Sequence, residues 1–441
     1  MLVNIHKLKL YALLLSAVVF STPGKAQVWT LQQCIDTAQV YNKNLQIGSN
    51  HMAISEQKRK EAKANYIPKL NVNADYKYFT DLPYQLLPSS VFGGPEGEFK
   101  EAQFGVPHNI NANLQFSMPL YSPQIIGAIK TSKIASELQV LQYQKTEEDL
   151  YFEIYNLYFN AQILFNQMTF IDSNVVNSKK LLANIRLLRE HLLAKGTDVD
   201  KVVLHVEQLS VQQKLVKNKY DQILNALKFT MGVSIDQIIE VESRIAYQDN
   251  NIYPHISTLD LRIAKTQRNL LISERSTLKN SRLPSVSLFG SYGFTGFGYD
   301  EKPNDFLNFY SIGFAGLKIN YPLFNGTITK KKISQKNLEL TNNALQLELL
   351  TEKNQMQIEN ELMQKSVAQN SVTINESQIR LALSIYEQTV FQQKQGVASL
   401  TEVLLADNAL RDAQQNYLSA IVEYLKADLE LKKLTGNILN R

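Results

Sequence analysis

The chain has 441 residues, 44% hydrophobic and 20% charged, with 18 Gly, 12 Pro and one Cys. A mean hydropathy of −0.21 excludes a polytopic helical membrane protein, since beyond the N-terminus no stretch reaches the ~20 apolar residues that a spanning helix needs. The lone Cys34 excludes an intrachain disulfide framework and a thiolate zinc cluster; the net charge of +5 drops to +2 without Lys7, Lys9 and Lys25, which is no argument for a nucleic-acid partner.

Lys7 and Lys9 precede an apolar run, Leu10 to Phe20, followed by Ser21-Thr-Pro-Gly-Lys-Ala26. A basic n-region, a short h-region and the small residues Gly24 and Ala26 spell a secretory signal peptide over 1–26, leaving Gln27 as the mature start. Cys34 follows Gln33, which is not a small residue, so lipoprotein processing does not fit. Residues 30–65 read as one helix, opened by a capping box at Thr30-Leu-Gln-Gln33. Strands are expected at about 67–80 and 109–121. Val72, Ala74, Tyr76 and Tyr78 alternate there with Asn71, Asn73, Asp75 and Lys77, and Ile110, Ala112, Leu114 and Phe116 alternate with Asn111, Asn113, Gln115 and Ser117. The connection 81–109 carries Pro83, Pro88, Gly93, Gly94, Pro95, Gly97 and Pro107 and reads as a long loop.

A long helix should follow, because the 68 residues between Gly127 and Gly196 hold neither Gly nor Pro. The turn Lys195-Gly-Thr-Asp198 offers Thr197 and Asp198 as caps for a second helix over 197–231. A segment of mixed composition, 233–256, lies between this first repeat, 27–232, and the second, and is expected to wrap the outside of the helices. The second repeat, 257–441, uses the same order: helix 257–281, strands at about 284–296 and 310–324, and 69 residues free of Gly and Pro between Gly326 and Gly396. The turn Gln395-Gly-Val-Ala-Ser399 and a helix over 397–435 complete it. Apolar residues switch parity along the fourth strand, so a bulge near Ala315-Gly316 is expected. Leu338, Leu345, Leu349, Met356 and Met363 fall mostly seven apart, close to a coiled-coil seam. Landmarks recur with offsets of 216 (Ile67-Pro to Leu283-Pro), 203 (Met118-Pro to Tyr321-Pro), 200 (Lys195-Gly to Gln395-Gly) and 204 (Leu227 to Leu431).

Strands of about ten residues with one apolar and one polar face fit a transmembrane barrel, and at ~1.5 Å per residue each long tract would run roughly 100 Å. Four strands cannot close a barrel. Two chains would give eight, which side chains fill; three would give twelve, enough for an open bore. That bore would be lined by Asn71, Asn73, Asp75, Asn111, Asn113 and Gln115. The expected fold class is therefore mainly α with a membrane β-barrel portion.

The order helix, hairpin, long helix, Gly turn, helix, written twice after a signal peptide, resembles the TolC-like outer membrane efflux protein family. Trp29-Thr-Leu-Gln-Gln-Cys-Ile-Asp36 is similar to that family's opening, and Gln395-Gly-Val-Ala-Ser-Leu-Thr-Glu402 to its periplasmic tip. The resemblance implies a homotrimer in the outer membrane lipid of a Gram-negative bacterium, with an α-helical tunnel reaching the periplasm. It also implies docking of a periplasmic adaptor fed by an inner-membrane transporter, through Lys195, Gly196, Thr197, Gln395, Gly396, Val397 and Ser399. Acidic residues after the second turn narrow the family's aperture. Glu402 matches one such position, Leu405 stands where a second acid would be, and Val202 takes the first-repeat place.

Enzyme chemistry needs a constellation, and none is legible. The six His (6, 51, 108, 191, 205 and 255) lack metal-ligand spacing and read as scattered surface residues, Cys34 as a small core residue, and no cofactor is implied. The functional expectation is an exit duct for small molecules; the same duct serving type I protein secretion or metal-ion efflux is an alternative, and a coiled-coil structural protein is one of another class.

Overall fold

The computed structural model describes residues 27–103, 105–245, 253–254, 256–298 and 308–439. The expected signal peptide, 1–26, and the middle of the loop 297–309 lie outside the described residues. In chain order the elements are β1 (Gln27–Trp29), α1 (Leu31–Tyr41), α2 (Lys43–Ala64), β2 (Lys69–Tyr78), β3 (Tyr84–Pro88), β4 (Phe99–Gln103), β5 (His108–Tyr121), α3 (Pro123–Glu190) and α4 (Gly196–Met231). Then follow β6 (Ile239–Val241), α5 (Leu259–Asn280), β7 (Ser285–Gly298), β8 (Asn308–Asn320), α6 (Ile328–Lys394) and α7 (Leu400–Leu434). The chain forms two compact units. One is helical and draws on the chain through Asn50, Leu141–Arg262 and the chain from Glu348 onward; the other, His51–Val140 with Ile263–Leu347, holds the main sheet.

In the helical unit, Thr30 opens α1 with both bonds of the capping box: its Oγ1 accepts from the Gln33 N–H at 3.2 Å, and its own N–H donates to Gln33 Oε1 at 3.0 Å. The single helix expected over 30–65 is instead two. Buried Asn42 breaks it, because its side-chain oxygen accepts from the Leu45 N–H at 3.1 Å while its amide donates to the Thr230 carbonyl at 2.8 Å. An Asn that caps the next helix and ties down another element competes with helix continuation. Cys34, Ile35 and Ala38 pack with Tyr158, Leu227, Met231, Ile239 and Val241 in one core cluster. Burial pushes the Cys34 thiol up to about 12, so it is a packing residue. β1 pairs in parallel with β6, and the Gln162 amide donates to the carbonyls of Glu242 and Arg244, both at 2.9 Å. The inter-repeat segment is thereby fastened to α3.

In the sheet unit, β2, β5, β7 and β8 form an antiparallel sheet in that order. The expected bulge at Ala315-Gly316 does not occur; β7 and β8 pair without interruption from Ser285↔Asn320 to Phe297↔Asn308. Small residues remove the need for it. Gly316 lies opposite Phe289, where a Cβ would come within 3.1 Å of the ring, so large apolar residues sit on either face without a register shift. The irregularity falls instead between Pro119 and Tyr121 of β5. The loop 81–109 also differs from expectation, since β3 and β4 form a hairpin of their own, from Tyr84↔Gln103 to Pro88↔Phe99. Beside the sheet, Thr131 and Ser273 hydroxyls lie 2.9 Å apart, and Lys336 pairs with Glu274 at 2.8 Å and Glu339 at 2.6 Å, joining α5 to α6.

Candidate functional site: a polar sheet face and two helical tips

The sheet brings all six expected bore-lining residues onto one face as three directly opposed pairs, Asn71↔Gln115, Asn73↔Asn113 and Asp75↔Asn111. The Asn73 amide reaches Asn113 Oδ1 at 3.4 Å, the Asn111 amide reaches Asp75 Oδ2 at 3.3 Å, and the Thr295 hydroxyl donates to Asn111 Oδ1 at 2.9 Å. Short amides hydrogen-bonded along a face leave spare donors and acceptors for water and carry little charge. This face is not polar throughout. Ile312 lies in the row of Asn73, Asn113 and Gly293, and Phe314 in the row of Asn71, Gln115 and Ser291. The opposite face carries Val72, Tyr76, Leu114, Tyr292, Leu317 and Ile319, all exposed in the single chain.

The helical unit holds both tips. α6 ends in a paired reversal: Gly396, at φ 73°, donates to the Gln393 carbonyl at 3.0 Å, and Val397 to that of Gln392 at 2.9 Å. Those two bonds form a Schellman motif, which needs a left-handed residue and favours glycine. α3 ends with the same two bonds, Leu192 to Arg189 at 2.9 Å and Leu193 to Leu188 at 2.8 Å. Its left-handed residue is Leu192, at φ 61° and 92% exposed. Gly196 is the first residue of α4 and is not left-handed; it does not make the reversal its repeat position suggests.

Two corrections follow. The tips correspond at an offset of 204, not 200, so Leu192 answers Gly396, Lys195 answers Ser399 and Asp198 answers Glu402. Val202, the expected counterpart of Glu402, is a fully buried core residue. The cap of α4 is Lys195, not Thr197 or Asp198; its N–H donates to the Asp198 carboxylate at 3.2 Å. In α7, Ser399 Oγ accepts from the Glu402 N–H at 3.3 Å while Glu402 Oε2 accepts from the Ser399 N–H at 2.6 Å. That backbone N–H, and then the Ser399 hydroxyl, hold the Glu402 carboxyl below the usual range. Thus Glu402 and Asp198 each fold back on their own turn. Gln395, Val397, Ser399 and Thr197 stand at these same two turns.

No family model matches the chain. Among curated proteins it is 18% identical to the outer membrane protein TolC of Salmonella enteritidis, over 96% of this chain and 85% of that one. It is 21% identical to TolC of Vibrio cholerae serotype O1, over 75% and 77%. Among solved structures it superposes on the outer membrane protein VceC of Vibrio cholerae with a TM-score of 0.75, at 15% identity over 92% and 96% of the two chains. It superposes on CusC with 0.76, at 13% identity over 94% and 95%.

The chain is similar to TolC over nearly its whole length. Its place is the outer membrane of a Gram-negative bacterium, its fold is that of the efflux channels, and the relatives it matches are channels rather than enzymes.

Beneath the tips of this TolC-like chain lies a polar cluster that the sequence reading missed. His205 on α4 is 8% exposed and Asp407 on α7 is 3% exposed; His205 Nε2 meets Asp407 Oδ2 at 2.9 Å, and Arg411 Nε lies 3.1 Å from the same oxygen. Tyr386 of α6 stands beside them, its hydroxyl pushed up to about 12 by burial and by the Asp407 charge. The expectation of surface histidines fails at His205. The signal was present, since His205 falls between Val202 and Leu209, and Asp407 between Val403 and Leu410, on the buried stripes of their helices.

Proposed function

We propose that copies of this chain join edge to edge into a trimeric, twelve-stranded outer membrane barrel, continued by the helices as a tunnel into the periplasm. On this reading the assembly is a passive exit duct for small molecules. It performs no chemistry, and its energy comes from an inner-membrane transporter through a periplasmic adaptor that docks at the two tips. The observation that carries the reading is the four-stranded sheet with one amide-lined face, one apolar face and two outer strands paired on one side only. Water on the amide side and lipid on the other suit such a sheet, and twelve strands leave an open lumen where eight are filled. The expected seam on α6 adds support. Leu338, Leu345, Leu349, Met356 and Met363 are all more than half exposed, and a neighbouring copy would cover them.

The test is conductance in planar bilayers by the purified protein. Discrete channel openings with a cation preference are expected, and Glu402→Gln, which keeps the cap but removes the charge, should lower that preference. A protein that inserts nowhere and fractionates away from the outer membrane would refute the duct.

A further inference from the structure

β2 and β8 end the order β2-β5-β7-β8, so among the described residues each presents one unpaired ladder, ten residues long in β2 and thirteen in β8. Proteins cover or blunt such edges, and here the internal repeat says what fits them. The landmark offsets carry β2 onto β7 by 216 and β5 onto β8 by 203. Applied to the first hairpin, they turn Lys69↔Ser117 into Ser285↔Asn320 and Tyr78↔His108 into Phe294↔Ser311, the pairs that the second hairpin makes. The two hairpins are therefore one design with one register.

The contact between hairpins, β5 on β7, has no counterpart among the described residues of the chain. The same offsets convert β5 into β8 and β7 into β2. Gln115↔Ser291 then becomes Lys318↔Asp75, Phe116↔Gly290 becomes Ile319↔Ala74, and Ser117↔Phe289 becomes Asn320↔Asn73. Four strands cannot curl far enough for the two outer ones to meet, so the second strand must come from another copy.

We propose that β8 of one copy pairs antiparallel with β2 of a second copy in this register, with Lys318 directly opposite Asp75. This rests on the multi-copy reading of the sheet and adds to it the register and the residues that set it. Nothing in the offsets guarantees chemical sense, because a one-residue slip would put every polar side chain against an apolar one. Yet Leu317 and Ile319 fall opposite Tyr76 and Ala74, Asn320 falls opposite Asn73, and the only charge on β8 meets the only acid on β2. Within its own chain Lys318 makes no ion pair among the described residues, and Asp75 has the exposed Lys77 at 3.4 Å. Opposite charges directly across a ladder favour pairing, and like charges oppose it.

Cysteine pairs test the register in the full-length protein in detergent. Asn320→Cys with Asn73→Cys, and Ile319→Cys with Ala74→Cys, sample both alternating pair types; the native Cys34 stays silent because it is buried and its thiol is pushed up to about 12. On mild oxidation at least one of these pairs should give covalent multimers about tenfold more readily than Asn320→Cys with Asn71→Cys, whose partners lie about 7 Å further apart along the strand. As a second measurement, Lys318→Asp should weaken the multimer and Lys318→Asp with Asp75→Lys should restore it. A displaced pair that cross-links best, or no cross-link in an intact multimer, overturns the register and leaves the multi-copy reading standing. A single-chain mass by light scattering for the unaltered protein overturns both.

Discussion

Leu192, like Thr327 at φ 67°, holds a backbone conformation that its side chain disfavours. A branched side chain in the left-handed region costs on the order of 1–2 kcal/mol, and at 92% exposure little packing offsets it. Leu192→Gly should therefore raise stability by about 1 kcal/mol, and Gly396→Ala should lower it by a similar amount. Denaturant unfolding of the two variants checks both; equal and null effects would mean that the reversals are held by something other than their left-handed residue. At this scale the sequence was partly legible. The glycine at 396 announced its turn, but Gly196 pointed to a reversal that a leucine makes four residues earlier. A leucine carries no mark of φ in its identity, so only the bonds to Arg189 and Leu188 reveal it. His205 and Asp407 differ again, because helical spacing put each on a buried stripe but only the contact between them, across some 200 residues of chain, makes them a pair.

At the scale of elements, the start of α7 joins capping to titration. The Glu402 carboxyl is held below its ordinary value, so the folded state binds its proton less readily than the unfolded chain. Its contribution is complete above the ordinary glutamate range and is lost as pH falls through the depressed folded value. The melting temperature should therefore fall more steeply on acidification for the native protein than for Glu402→Gln, with the two curves drawing together at the acid end. Identical slopes would show that the carboxylate gives the turn nothing beyond a hydrogen bond. Strands and long helices were read well because period two and the absence of Gly and Pro are local signals. The β3–β4 hairpin was lost among prolines and glycines, although Tyr84 and Leu86 lie opposite Gln103 and Glu101 with the spacing of a short ladder. The break at Asn42 was missed because helical periodicity runs through it. What stops the helix is a contact to Thr230, far along the chain.

For the whole molecule, the corrected correspondence between repeats changes the expected electrostatics of the tip. In the proposed duct, Val202 as counterpart would leave one carboxylate per copy at the tips, and Asp198 answering Glu402 would give two. Ion selectivity measured in planar bilayers should then respond to both. Asp198→Asn and Glu402→Gln should each reduce cation preference, and the double variant should reduce it further, in proportion to the charge removed and less at high salt. If Asp198→Asn leaves selectivity untouched while Glu402→Gln does not, the two repeats are not electrically equivalent. The duplicated plan was readable from landmark offsets alone, and two of those offsets reproduce the hairpin registers without adjustment. The third was misplaced by four residues because it was anchored on a glycine instead of on the bonds that close the turn.

The unlike reversals bear on counting. Each copy carries one small, glycine-centred tip and one that thrusts out Leu192 with Leu193. In a closed ring of copies the two kinds would alternate, so a ring that looks uniform at low detail has only half that symmetry. A partner that grips every tip must carry two kinds of socket. In the proposed assembly, one that accepts only the small tip would bind once per copy.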